Sequence, residues 1–225
     1  MSGNGFSGFD HSPDERTGQA EAFDAIGPRY SEAFPHKEGQ LAAGRWLLEA
    51  LPPDSRILDV GCGTGLPTAR QLSDAGHRVV GVDLSAGMVE LARDNVPKAE
   101  FHQRDMAGLS AGGPRALGLF DAATAFFSLV MLPRREIPEA LRTIHGLLRP
   151  DGLLALSMVE ADVDDCPVPF LGHTIRVSGY LRDELRQVVE ASGFEITGEH
   201  LESYAPASTD VPPEIQLFLH CRRRA

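Results

Sequence analysis

Short runs of apolar residues alternate along the chain with segments whose apolar residues recur at helical spacing. Arg56–Val60 and Arg78–Val82 are short and rich in β-branched residues, whereas Arg134–Leu148 places leucines and isoleucine on one face. Predicted strands cover Arg56–Val60, Arg78–Val82, Glu100–Gln103, Phe120–Phe126, Leu153–Met158, Phe194–Glu199 and Ile215–Cys221. Predicted helices cover about Gln19–Ile26, Glu38–Leu51, Pro67–Ala75, Ser85–Asn95, Arg134–Leu148 and Tyr180–Ser192. The alternation predicts an α/β fold with seven strands in a mostly parallel sheet and helices on both faces.

Two segments lack a clear pattern. Residues 1–18 form a polar lead, and Asp162–Gly179 is predicted to be an acidic, solvated loop. With no internal repeat and no long linker, we expect a single domain. Its N-terminal tail and helical lid occupy residues 1–51, and its core occupies residues 52–225.

Composition and charge narrow the range of partners and sites that we expect. The chain has 225 residues, and 32 acidic residues against 21 basic ones give a formal net charge of −11, so nucleic acid is not an expected partner. No run of about 18 apolar residues exists, and the N-terminus lacks the features of a signal peptide. Three widely spaced cysteines form neither a disulfide framework nor a zinc site. We therefore expect a cytoplasmic protein, monomeric or homodimeric, that neither binds a membrane nor holds a metal.

The strongest local signal is the segment Leu58–Gly65, L-D-V-G-C-G-T-G, which joins a predicted strand to a predicted helix. Alternate glycines let the backbone approach a ligand closely, and the helix N-terminus offers free N–H groups. The next strand ends in Asp83, 18 residues beyond Gly65, where a carboxylate can accept ribose hydroxyls. Alternatively, the glycine segment is a tight turn that binds no ligand, and Asp83 caps the next helix. Ser85 is the better candidate for that cap.

The spacing of the glycines argues against a dinucleotide. That fingerprint requires G-x-G-x-x-G, and Leu66 stands where its third glycine belongs. No phosphate-binding Gly-Lys-Ser/Thr loop occurs either, so a nicotinamide reductase is a weak alternative.

Several motifs in order resemble the class I S-adenosylmethionine (SAM)-dependent methyltransferases. The resemblance runs from about Arg56 to Gly198. It includes D-V-G-C-G-T-G, G-V-D-L-S-A-G-M (Gly81–Met88), R-D-M (Arg104–Met106), F-D-A-A-T-A-F-F-S-L (Phe120–Leu129), L-L-R-P-D-G-L-L (Leu147–Leu154) and A-S-G-F-E-I (Ala191–Ile196). It implies a Rossmann-like fold, SAM as the cofactor and methyl transfer as the activity.

The resemblance also implies cofactor-binding roles at matching positions. The amino-acid end of SAM would be held by Asp59, the Phe126 carbonyl and the backbone of Gly61, Cys62, Gly63 and Gly65. The ribose and adenine would be held by Asp83, Leu84, Met88, Asp105 and the Met106 N–H group. Alternatively, Met88 is ordinary helix core and Asp105 is a loop cap.

The acceptor side carries weaker signals. Candidate bases are Tyr30, His36, Glu160 and His173, although a base is needed only if the acceptor must lose a proton. We expect the acceptor to lie between Tyr30–Gln40, Phe126–Met131 and Asp162–His173. Apolar residues there favour a small, partly apolar acceptor, and a natural-product intermediate fits this description. Alternatives are a SAM-binding protein with non-methylating chemistry such as cyclisation, and a non-catalytic SAM-binding module.

Overall fold

A computed structural model describes residues 13–113, 116–205, 207 and 213–224 of the chain. A seven-stranded sheet has the order β3-β2-β1-β4-β5-β9-β8. Its strands are β1 (Arg56–Val60), β2 (Arg78–Asp83), β3 (Glu100–Gln103), β4 (Phe120–Phe126), β5 (Leu148–Val159), β8 (Phe194–Tyr204) and β9 (Glu214–Arg223). The first five are parallel, and β9 is antiparallel to both of its neighbours. The mostly parallel seven-stranded sheet is therefore confirmed.

Helices precede the sheet and connect its strands. They are α1 (Pro13–Ile26), α2 (Arg29–Ala33), α3 (Glu38–Ala50), α4 (Thr68–Asp74), α5 (Ala86–Asn95), α6 (Ile137–Leu147) and α7 (Arg182–Ala191). Ser85 caps α5, as predicted, because its hydroxyl accepts a hydrogen bond from the Met88 N–H at 3.0 Å. In the described ranges, no helix combines the length and the apolar character that crossing a membrane requires.

The sheet is buried on both faces. Neighbouring residues Ile57 and Leu58 of β1 are both fully buried, but they belong to different apolar clusters. One cluster contains Phe120 and α6, and the other contains Leu47 of α3. Successive strand residues point to opposite faces, so helices cover both sides and leave the strand ends open for a site.

The segment predicted as a solvated loop is a β-hairpin, and this prediction was wrong. Strands β6 (Val163–Phe170) and β7 (His173–Gly179) pair with each other in a separate two-stranded sheet. The hairpin forms because tertiary contacts override a weak local pattern. Its residues Phe170, Leu171 and Ile175 pack against apolar residues of α1 and α2.

Ion pairs hold the base of this hairpin. The Arg134 guanidinium contacts Asp162 at 2.8 Å, and Arg176 contacts Asp165 at 2.7 Å. The acids read as solvated loop residues therefore anchor the hairpin. The polar lead is also shorter than expected, since α1 begins at Pro13.

Candidate functional site

The glycine loop leaves β1 with a backbone that only glycine adopts easily. Gly61, Gly63 and Gly65 have φ values of +71°, +52° and +75°. The N–H groups of Gly61 and Cys62 donate to the Val82 carbonyl at 2.8 and 3.0 Å. The loop is thereby fixed to the end of the neighbouring strand β2.

Asp83, the last residue of β2, is held by backbone N–H groups on both sides. Its two carboxylate oxygens accept hydrogen bonds from Gly63 and Ser85, each at 2.9 Å. Burial raises the pKa of this carboxyl, and these hydrogen bonds partly oppose the shift. Each oxygen retains a second lone pair, so the fixed carboxylate can also accept from a ligand's hydroxyl groups.

Asp59 lies in β1 beside the start of the glycine loop and is 3% exposed. Its Oδ1 accepts a hydrogen bond from the Thr124 hydroxyl at 2.7 Å, while its buried Oδ2 has no hydrogen-bond partner. Burial raises the pKa of this carboxyl to about 7, and the charge of Asp83 adds to the shift. A buried carboxylate oxygen without a partner is costly, so this position suits a cationic or hydrogen-bond-donating ligand group.

A cavity of about 800 Å³ opens over the carboxyl ends of the central strands. Most residues that the sequence points to as a cofactor site line it. They are Asp59, Gly61, Cys62, Gly63, Asp83, Leu84, Met88, Asp105, Met106 and Phe126. Gly65 does not line it; a Cβ there would lie 3.1 Å from Val96, so Gly65 serves the packing of the loop.

Met88 and Asp105 each line the cavity and also have the structural role that the sequence offers as the alternative. Met88 is 2% exposed and belongs to the helix core, yet it lines the cavity. Asp105 also lines the cavity, while its Oδ1 caps a short 3₁₀ turn by accepting from the Ala107 N–H at 2.9 Å.

The predicted lid segment also reaches the cavity. Tyr30, Phe34, His36, Lys37 and Gln40 all line it. The Lys37 ammonium lies 4.7 Å from the centre of the Tyr30 ring. Burial lowers the pKa of Lys37 to about 8, and burial followed by the charge of Glu214 raises the pKa of Tyr30.

The candidate bases occupy different environments. His36 is exposed, with its Nδ1 3.5 Å from Glu38. Glu160 lines the cavity, but its Oε1 accepts a hydrogen bond from the Arg182 N–H at 3.2 Å, at the start of α7. His173 begins β7 at the hairpin turn and does not line the cavity.

Two side chains fasten α1 over the cavity, and sequence reasoning missed both. The Gln19 amide donates to the Met131 carbonyl and accepts from the Arg176 N–H, each at 2.9 Å. The Asp24 carboxylate accepts from the Ser85 hydroxyl and from the Gly87 N–H. Gln19 therefore joins the lid to the hairpin and the loop after β4, and Asp24 joins it to α5.

The far wall of the cavity is aromatic. The Phe34 ring stacks on Phe170, with centroids 5.7 Å apart, and on Tyr204, with centroids 5.8 Å apart. Glu214 and Gln216 of β9 line the same cavity, and the Gln216 amide donates to Glu214 Oε1 at 2.7 Å. No motif marks these two residues, because the order of the strands brings them to the site. Among the described residues, no three His, Cys, Asp or Glu side chains are grouped to hold a metal ion.

Comparisons with known proteins agree with this geometry. Residues 57–152 match the family model described as a methyltransferase domain. The chain is 36% identical over 113 residues to magnesium-protoporphyrin O-methyltransferase of Rhodobacter capsulatus, covering 47% of each chain. It is 31% identical over 139 residues to the dTDP-3-amino-3,6-dideoxy-alpha-D-glucopyranose N,N-dimethyltransferase of Streptomyces fradiae, covering 61% of this chain and 51% of that one. The matches thus span about half the length of these curated relatives.

A solved structure shares the fold over almost the whole chain. The 1,6-didemethyltoxoflavin-N1-methyltransferase of Burkholderia thailandensis, with bound 1,6-didemethyltoxoflavin and S-adenosylhomocysteine, superposes with a TM-score of 0.69. The identity is 22%, over 98% of this chain and 94% of that one. Residues 57–152 therefore match a methyltransferase domain, and the chain shares the fold of a solved methyltransferase that binds S-adenosylhomocysteine.

Proposed function

We propose that the protein transfers a methyl group from SAM to a small-molecule acceptor. The observation that carries the proposal is the pair of fixed carboxylates at the glycine loop. Asp59 presents a buried oxygen without a partner, and Asp83 is held by two backbone N–H groups. A cofactor with an ammonium group at one end and a ribose diol in its middle matches this pair.

The residues around the cavity then take the following roles. Asp59 attracts the ammonium group of the methionine end, which the Phe126 carbonyl and the backbone of Gly61, Cys62 and Gly63 also hold. Asp83 accepts from the ribose hydroxyls. The adenine is enclosed by Leu84, Met88, Asp105 and Met106.

Bound SAM supplies a methyl group on a positively charged sulfur, which is a good leaving group. The protein's task is then to align the acceptor with that methyl group and to exclude water. Three segments line the acceptor side: the lid, the loop after β4, and the hairpin through Val168, Pro169 and Phe170. Their apolar character favours a small, partly apolar acceptor.

The proposed partners and cellular location follow from the net charge and the size of the chain. The net charge of −11 disfavours a polyanionic partner such as nucleic acid. We propose a cytoplasmic enzyme that acts as a monomer or homodimer and uses no metal. The two curated relatives are named as enzymes for a porphyrin and a sugar nucleotide, which supports a small-molecule acceptor here.

Titration calorimetry tests the cofactor. S-adenosylhomocysteine should bind, and NAD should not bind comparably, because Leu66 replaces the third glycine of the dinucleotide loop. Binding of NAD without S-adenosylhomocysteine would refute the proposal. Binding of SAM with no transfer to any acceptor in a broad small-molecule screen would favour a SAM-binding protein with other chemistry, or a non-catalytic module.

A further inference from the structure

Glu214 is a carboxylate on the acceptor side of the cavity, apart from the acids at the glycine loop. It is the first residue of β9, lines the cavity and lies opposite Tyr204 in the pairing of β8 with β9. The Gln216 amide, itself 7% exposed, holds its Oε1 at 2.7 Å. Among the described residues, no arginine, lysine or histidine lies within ion-pair distance of Glu214, and its Oε2 has no hydrogen-bond partner. The carboxylate is therefore oriented but not neutralised.

Tyr30 links Glu214 electrostatically to Asp83 on the cofactor side of the cavity. The charges of Glu214 and Asp83 both raise the pKa of the Tyr30 hydroxyl, so Tyr30 lies within electrostatic reach of both carboxylates. Tyr204 of β8 also lies within electrostatic reach of Glu214, and Lys37 lies 4.7 Å from the centre of the Tyr30 ring. Both tyrosines stay protonated near neutral pH because burial raises their pKa values, so neither competes as a base.

The other candidate bases are less suitable. His36 is exposed beside Glu38, His173 does not line the cavity, and Glu160 is bound to the start of α7. Burial raises the pKa of Glu214, which makes its carboxylate a stronger base than an exposed one. Glu214 is thus the carboxylate best placed to take a proton from an acceptor.

We propose that Glu214 is the general base of the acceptor site and that the acceptor is a planar, apolar molecule with a weakly acidic hydroxyl group. The inference rests on the proposed function. The aromatic side chains of Phe34, Phe170 and Tyr204 all line the cavity, which suits an acceptor with an aromatic ring. A hydroxyl group needs such a base, whereas a neutral amine attacks through its own lone pair.

The step balances as follows. The acceptor oxygen forms a bond to the methyl carbon while its proton passes to the Glu214 carboxylate. The bond between that carbon and sulfur breaks, and its electron pair remains on sulfur. The products are a methyl ether and neutral S-adenosylhomocysteine, and Glu214 later releases the proton to water.

The test compares two phenols as probes at about pH 8, where 2-naphthol is mostly neutral and 4-nitrophenol is mostly ionised. Release of S-adenosylhomocysteine and mass spectrometry of the ether report turnover. Glu214→Gln should lower turnover of 2-naphthol by about a hundredfold or more, the usual contribution of a general base. It should keep most of the turnover of 4-nitrophenol, which needs no base. Glu202→Gln, on the neighbouring strand and outside the cavity lining, should match the wild type.

Each other outcome is decisive. Equal turnover of 2-naphthol by Glu214→Gln and wild type would overturn the role of Glu214. Wild-type protein that binds S-adenosylhomocysteine but methylates neither phenol would overturn the acceptor class and leave the proposed function standing. Failure to bind S-adenosylhomocysteine would refute the proposed function itself. If Glu214→Gln does not fold, Glu214→Asp should show a selective, smaller loss with 2-naphthol, and equal losses with both phenols would overturn the proposal.

Discussion

A Cβ atom added to Gly61 would lie 2.3 Å from the Cβ of Ser128. The first glycine of the loop is therefore required by the segment that follows β4, and not by the ligand alone. The second glycine, Gly63, behaves differently, because a Cβ there would meet no protein atom within 4 Å. Gly63 also lines the cavity, so the space beside it is available to a bound molecule.

Substitution of these two glycines should separate folding from binding. Both changes place alanine at a positive φ, at a cost of about 1–2 kcal/mol. Gly61→Ala adds the clash with Ser128 and should lower the melting temperature well beyond Gly63→Ala. Gly63→Ala should instead weaken binding of S-adenosylhomocysteine. Thermal unfolding and calorimetry on both variants decide, and equal melting temperatures would contradict the role assigned to Ser128.

Asp83→Asn should weaken cofactor binding and also destabilise the fold. The amide cannot accept from both Gly63 and Ser85, so one buried N–H group loses its partner. Hydrogen bonds to a charged group contribute about 1.5–3 kcal/mol each, so the dissociation constant for S-adenosylhomocysteine should rise at least tenfold. Asp74→Asn, an exposed acid at the end of α4, is the charge-matched control. An unchanged dissociation constant would make Asp83 purely structural.

Gln19→Ala should loosen the lid without weakening cofactor binding. The change removes the hydrogen bonds to Met131 and Arg176, each worth about 0.5–1.5 kcal/mol. Amide hydrogen exchange should accelerate in α1 and the β6–β7 hairpin, while the affinity for S-adenosylhomocysteine stays at the wild-type value. Glu21→Ala, an exposed residue of the same helix, is the control. Unchanged exchange in the hairpin would show that Gln19 does not hold the two elements together.

The central strands could be predicted well because their residues are buried on both faces. The bounds of β3 (Glu100–Gln103) and β4 (Phe120–Phe126) agree residue for residue with the sequence prediction. The β6–β7 hairpin could not be predicted, since Pro167, Pro169 and several acids disguise its strands. Its partners are the lid helices, more than a hundred residues away in the chain.

The candidate site likewise has one part that the sequence predicts and one part that it does not. The glycine loop and Asp83 are recognisable because the residues that act together lie close in sequence. Ser128, Gln19 and Glu214 come from a loop, a lid helix and the last strand, and only tertiary structure brings them to one cavity. The predicted final strand starts at Ile215, one residue after Glu214, so the pattern of apolar residues excluded the carboxylate that faces the acceptor side.

The protonation of Asp59 should couple pH to both stability and cofactor binding. Burial raises its pKa from 3.8 to about 7. Between these values the folded protein holds a proton that the unfolded chain has released, so this residue's stabilising contribution is complete below about pH 4 and falls as the pH rises to about 7. An ammonium group bound at Oδ2 favours the ionised form, so S-adenosylhomocysteine should bind more tightly, and stabilise more, as the pH rises through 7.

The measurement is the melting temperature with and without S-adenosylhomocysteine from about pH 5 to about pH 8. The gain on binding should grow with pH in the wild type. The asparagine of Asp59→Asn cannot ionise, so the gain in melting temperature of this variant should be smaller at high pH and should change little with pH. Subtracting the variant's gain from the wild-type gain removes the contribution of Asp83, whose pKa is also raised. A wild-type gain that is constant with pH, or parallel curves for both proteins, would show that the ammonium group does not lie beside Asp59.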